Sequence, residues 1–128
     1  MHVTHGRPPE SRAQQAPASA FTGVAWIDPV LERTDGMAVN SVFFSPGART
    51  HWHRHEAGQA LFVTGGEGWV GTRDGEPVRV RTGDTVWTSP GEYHWHGATG
   101  DTYLLHLGFT LGASEFLDAV TDDQYPGA

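Results

Sequence analysis

The spacing of turn signals is what most constrains the fold of this chain. Asp35-Gly36, Pro46-Gly47, Gly65-Gly66, Asp74-Gly75, Gly83-Asp84, Pro90-Gly91 and Gly100-Asp101 interrupt it at short intervals. Between them lie β-prone runs: FTGVAWI (21–27), MAVNSVFF (37–44), QALFV (59–63), GWVGT (68–72), VRVRT (78–82), TVWTS (85–89), YHWHG (93–97) and YLLHLGF (103–109). About eight short strands so closely spaced predict an all-β sandwich or barrel. The 17 glycines suit the positive-φ positions of such a fold.

With 128 residues and no internal linker, the chain has the length of a single domain able to bury a real core. Met1 to Ala20 is rich in Ala, Pro, Gln and Ser and has no aromatic residue. It reads as a flexible N-terminal arm, mobile or docked on a partner subunit, so the folded domain is expected over 21–128. One short helix is expected near the C-terminus, capped by Ser114 and carrying Phe116, Leu117 and Val120 on its apolar stripe. The last segment, TDDQYPGA, is polar and expected to fray.

Composition excludes several function classes. There is no cysteine, hence no disulfide and no thiolate metal site. The net charge is −7, and all eight basic residues are arginines spread along the chain. No basic face for nucleic acid is visible. No apolar stretch approaches the roughly 20 residues that span a bilayer, and the N-terminus lacks the apolar core of a signal peptide. The expectation is a cytoplasmic protein with neither nucleic-acid nor membrane partners.

The histidines carry the chemistry. His51, His53 and His55 alternate with Trp52 and Arg54, and side chains two apart on a strand share a face. His94 and His96 repeat the arrangement around Trp95, and His106 interrupts an apolar strand between Leu105 and Leu107. Several imidazoles converging in an apolar interior need partners, since burying an unpaired polar ring is costly. A shared metal ion supplies one; imidazole suits Zn, Cu, Fe and Ni, and oxygen-rich neighbours favour Mn.

These residues also form two ordered motifs. In GARTHWHRHEAGQALFVTGG, Gly47, His53, His55 and Gly66 stand at the spacing of the first cupin motif, with Gln59 where glutamate is usual. In GDTVWTSPGEYHWHGA, Gly83, Gly91 and His94 stand at the spacing of the second, with Ser89 and Ala98 replacing the usual Pro and Asn. The chain thus resembles the single-domain cupins. The resemblance implies a small antiparallel jelly-roll β-barrel, a homodimer, and one divalent metal ion held by His53, His55, Gln59 and His94.

The wording around the motifs is similar to small bacterial cupins of the carboxymuconolactone-decarboxylase-like group and to the cupin-type hydroxynitrile lyases. Those lyases imply manganese at a site of three histidines and one glutamine, with histidines at the places of His96 and His106 assisting proton transfer. His51, the extra member of its strand, is a third candidate for that role. Iron, zinc, nickel and cobalt suit the same ligands.

Gln59 bears on the reaction class. An amide in place of a carboxylate leaves the ligand set neutral, so a divalent ion keeps its full charge and acts better as a Lewis acid. This favours a lyase, in which the metal stabilises charge developing on a substrate oxygen while His106 or His96 takes the hydroxyl proton. Fe(II) oxygenation is the alternative, and a metabolite-binding cupin without activity is the third. Phe44, Leu61, Trp69, Trp87 and Leu104 are candidates for an apolar lining, and Thr50, Ser41 and Thr110 for substrate contacts. The expected partner is a small, partly hydrophobic substrate.

Overall fold

The computed structural model of the chain describes residues 1–5 and 13–128. Twelve strands run through them: β1 (Gln14–Gln15), β2 (Phe21–Thr22), β3 (Ala25–Thr34), β4 (Met37–Phe44), β5 (Arg49–Thr50), β6 (His53–His55), β7 (Gln59–Thr72), β8 (Val78–Arg81), β9 (Thr85–Thr88), β10 (His94–Ala98), β11 (Leu104–Leu111) and β12 (Ser114–Phe116). Their pairings are antiparallel. Hydrogen bonds join them in the order β1-β3-β4-β11-β7-β10-β5-β2, with β8 and β9 beside β7 and β6 beside β10 and β12. This is an all-β, antiparallel jelly roll.

The long strand β7 joins the two sheets. Its first half pairs with β11 and β9, its second with β10 and β8. The crossing point is Gly65-Gly66, which the sequence pattern predicts to be a turn between two strands. The strand instead continues through it, with a register shift against Leu105 and His106. Gly66 has φ 74°, and a Cβ there would stand 1.8 Å from the Tyr103 carbonyl oxygen. Only glycine can carry a strand around that corner.

The apolar core includes Phe21, Ala25, Phe44, Val63, Val80 and Leu104. β1 pairs with β3, and Ala20 and Phe21 are buried, so strand structure begins within the segment read as an arm. Residues 6–12 of that segment lie outside the described residues.

The expected C-terminal helix is absent. Ser114, Glu115 and Phe116 pair as β12 with His55, Arg54 and His53. A ladder partner for every residue outweighs a weak local helix preference. Nor does the tail fray. Val120 and Tyr125 pack on Trp95 behind β10, and the Tyr125 hydroxyl donates to the Ala98 carbonyl. The Arg49 guanidinium donates to Val120 O (3.0 Å) and to Asp122 (2.7 Å), and lies 4.6 Å from the centre of the Tyr125 ring. Burial of the Tyr125 phenol pushes its pKa upward.

Candidate metal centre

Every residue of β10 is buried, because both of its faces are covered. Trp95 meets the C-terminal segment on one side. His94 and His96 point the other way, as alternation requires. His94 lies directly opposite His53 in the ladder, which sets the two side chains on one face. Their ring centres are 4.1 Å apart, and the His55 ring is 5.0 Å from His53 and 5.2 Å from His94.

The hydrogen bonds of these rings fix where their lone pairs point. His53 Nδ1 is 2.9 Å from the His51 carbonyl and His94 Nδ1 is 3.0 Å from the Glu92 carbonyl. A carbonyl only accepts, so both rings carry their proton on Nδ1 and present a bare Nε2. His55 Nδ1 lies 2.7 Å from Ser114 Oγ, its cross-strand partner, and its Nε2 is buried with no hydrogen bond. An imidazole held at one nitrogen and bare at the other is the usual form of a metal ligand.

Gln59, at the start of β7, completes the arrangement. Its Nε2 donates to Thr110 Oγ1 at 2.9 Å, and its Oε1 faces His94 Nε2 at 3.2 Å. With His94 protonated on Nδ1, two lone pairs meet there and neither atom supplies a proton. Two ligands about 2.1 Å from one ion, at right angles, stand about 3 Å apart. The separation therefore suits a shared cation.

Electrostatics favour the same form. Burial is the main cause that lowers the pKa of His53, His55, His94, His96 and His106. His55 and His106 are each brought down to about 4. For His55 the charge of His94 adds to this and Arg33 adds less, while the Gln59 side chain partly offsets it. Neutral imidazoles are what a metal requires.

The remaining histidines divide. His96 stands with its ring 5.1 Å from His53 and 4.9 Å from His106. One nitrogen each from His53, His94 and His96 lie within 4.8 Å of one another, so His96 also comes within ligating reach. His96 Nδ1 and His106 Nε2 are 3.2 Å apart, while His96 Nε2 and His106 Nδ1 have no hydrogen bond. His51 does not join them. The strand breaks between β5 and β6, which ends the alternation that would put it on the histidine face. Its contribution is the carbonyl that orients His53, and its ring does not line the cavity.

That cavity measures 210 Å³, about seven water molecules at roughly 30 Å³ each. Phe21, Ile27, Val42 and Phe116 supply its apolar walls, and His53, His55, Gln59, His96 and His106 its polar end. Of the apolar candidates from the sequence, Phe44 packs against the His96 and His106 rings, but Trp87 is exposed and Trp69 packs toward Trp95. Thr50 and Thr110 line the cavity. Thr50 Oγ1 accepts from the His96 backbone N–H. Ser41 does not line it. Sequence reasoning missed Ser114, which looked like a helix cap, and Arg33 and Phe116, which come to the cavity through pairings that no motif marks.

Comparison with known proteins agrees with this fold. The cupin domain family matches residues 40–108. An (R)-mandelonitrile lyase from Granulicella tundricola is 44% identical over 117 residues, covering 87% of this chain and 89% of that protein. A cupin-like protein from Thermotoga maritima superposes with a TM-score of 0.84 at 34% identity, covering 89% of this chain and 94% of that one. A polyketide cyclase from Streptomyces resistomycificus superposes at 0.76 with 18% identity, over 98% of this chain and 90% of that one, and so shares the fold. The two motifs, the barrel and these matches together make the chain a member of the cupin family.

Proposed function

We propose that this protein is a metal-dependent lyase that cleaves a carbon–carbon bond next to a hydroxyl-bearing carbon in a small substrate. The observation that carries the reading is the meeting of His94 Nε2 and Gln59 Oε1 without a proton, inside a ligand set that is neutral throughout. The likeness to a mandelonitrile lyase supports the reaction class.

His53, His55, Gln59 and His94 would hold the ion, which we take to be manganese. A divalent metal there supplies Lewis-acid stabilisation of negative charge developing on a substrate oxygen. The other residues handle protons and shape. His96 and His106 share one hydrogen bond and leave one nitrogen free at each end. A proton accepted at one free nitrogen can be matched by release from the other, so the pair works as a relay for the substrate hydroxyl proton. Burial lowers the pKa of both rings and so keeps them neutral. Phe21, Ile27, Val42 and Phe116 exclude water and admit a substrate of about single-ring size.

We also take the protein to act as a homodimer. The outer face of the β3-β4-β11-β7 sheet exposes Trp26, Phe43 and Phe62, with Leu105 and Leu107 half-exposed between them. Two copies of a chain with net charge −7 repel each other, so a largely uncharged aromatic face is where they can meet.

The test is metal analysis joined to an assay. Protein purified without added metal should hold close to one ion per chain and release benzaldehyde from mandelonitrile. That activity should vanish with a chelator, return with manganese and persist without oxygen. Oxygen uptake coupled to turnover would overturn the lyase reading in favour of oxygenation. A folded protein that binds no divalent metal would overturn the site.

A further inference from the structure

Among the described residues, the cavity beside the histidines is lined by one cation and no acid. Arg33, on β3 and itself solvent-exposed at the cavity's rim, is the sole formally charged side chain among the described lining residues. This is unexpected in a chain with 15 acidic residues against eight arginines. Arg33 is anchored through one nitrogen. Its Nη1 donates to Gly112 O at 2.9 Å, in the turn between β11 and β12, and reaches Gly36 O at 3.4 Å. Both acceptors are backbone carbonyls, which hold the group without neutralising it.

Among the described residues no carboxylate pairs with Arg33; the ion pairs there use Arg49, Arg54 and Arg79. Among the described residues every hydrogen bond of Arg33 leaves from Nη1, so its Nε and Nη2 donors have no acceptor there and face solvent. Those two nitrogens form the edge that receives a carboxylate bidentately. Arg33 lines the same cavity as His55 and Ser114. A divalent ion on neutral ligands would add two more positive charges to the same cavity, again without a protein counter-ion.

We propose that Arg33 is the anion-binding residue of this cavity and that the substrate is a small organic carboxylate, its acid group on the Nε–Nη2 edge and a second oxygen function toward the histidines. This deepens the lyase reading and rests on it for the second oxygen, while the carboxylate site rests on Arg33 alone. The nitrile is then a surrogate, lacking the group that Arg33 holds. The cavity volume of 210 Å³ limits the acid to about the size of one substituted ring.

The experiment compares benzoate with its neutral isostere benzamide, by calorimetric titration at pH 8 and low salt. Both probes are titrated into manganese-loaded and metal-free wild type, Arg33→Gln and Arg33→Lys. Wild type is expected to bind benzoate at least about tenfold more tightly than benzamide in both metal states. In Arg33→Gln the gap should shrink to within about twofold in the metal-free state, and Arg33→Lys should keep most of it. Equal binding of the two probes by metal-free wild type overturns the proposal without recourse to any variant. So does a preference that survives in folded Arg33→Gln, and so does one that appears only with metal. The metal-free arm separates the two readings: a protein that takes up no manganese yet prefers benzoate through Arg33 refutes the metal site and supports the anion site.

Discussion

His94 Nε2 and Gln59 Oε1 face each other at 3.2 Å with no proton between them. The Glu92 carbonyl takes the proton of His94 on the other ring nitrogen, and Thr110 takes the amide hydrogen of Gln59. A cation bound between these two acceptors would stabilise the folded chain. A ligand that binds only the folded state at 100 times its Kd adds about 2.7 kcal/mol of stability. For a domain of this size that is a rise of about 10 °C in Tm. Calorimetry of chelated protein titrated with manganese should show it, and His53→Ala should abolish it. A flat Tm would mean that the cluster is not a cation site.

Gln59→Glu tests the neutrality of the ligand set. A carboxylate should tighten manganese binding by about tenfold or more, since it adds a negative charge at the ion. The same charge weakens the ion as a Lewis acid, so lyase turnover should fall by about tenfold or more while metal content holds or rises. Metal content is read by elemental analysis and turnover by aldehyde release. Faster turnover in the variant would contradict the role given to the amide.

Ser114→Ala removes the side-chain partner of His55 Nδ1. The ring then loses its orientation, and loss of such a partner typically weakens metal affinity by about 10–100-fold. Ser114→Thr, which keeps a hydroxyl, should recover most of it. Competition with a fluorescent chelator gives the affinities; equal values in wild type and Ser114→Ala would show that His55 needs no orienting partner.

How much of this was legible depended on whether the signal was local. His53 and His55 share a strand face by their spacing alone, whereas Gln59 and His94 are tied to them only by the resemblance to the two cupin motifs. His51 fits the same alternation, but the strand is interrupted between Thr50 and His53, no residue there announces the interruption, and the His51 ring does not line the cavity. Ser114 has the local signature of a helix cap, yet it pairs with His55, a partner 59 residues away. Gly65-Gly66 has the signature of a turn and carries a strand between sheets instead, because what it must accommodate is the Tyr103 carbonyl. Arg33 is illegible for the same reason: its anchors are Gly36 and Gly112, and the second is 79 residues distant. Residues whose role is set by a long-range pairing leave no mark in the neighbouring sequence.

Tyr125→Phe probes the C-terminal segment that backs β10. The hydroxyl donates to Ala98 O in a buried setting, and losing one buried partner costs about 1–2 kcal/mol. The aromatic packing on Trp95 and the Arg49 guanidinium is kept. Denaturant unfolding should show a lower midpoint with an unchanged slope, and metal content should stay at the wild-type value. An unchanged midpoint would mean that water replaces the hydroxyl at no cost and that the segment is less closed than its burial indicates.

The exposed sheet face gives the last prediction. Phe43 stacks on Tyr103 with ring centres 5.7 Å apart, and Trp26 stands opposite Phe43 in the ladder. Phe62 lies two strands away, across β11, opposite Leu107. If two copies meet on this face, Phe62→Glu puts a charge into the apolar contact of both copies, beside its symmetry mate or its neighbours. The variant should elute as a monomer in light-scattering chromatography where wild type elutes as a dimer. The side chain is 41% exposed in the single chain, so the substitution leaves the barrel core intact and the far-UV spectrum and metal content should not change. Wild type that is monomeric at tens of micromolar would remove the dimer. Wild type that stays dimeric with Phe62→Glu would move the contact to another face, and the groove formed by Trp52, Arg73 and Trp95 behind β10 would be the next surface to substitute.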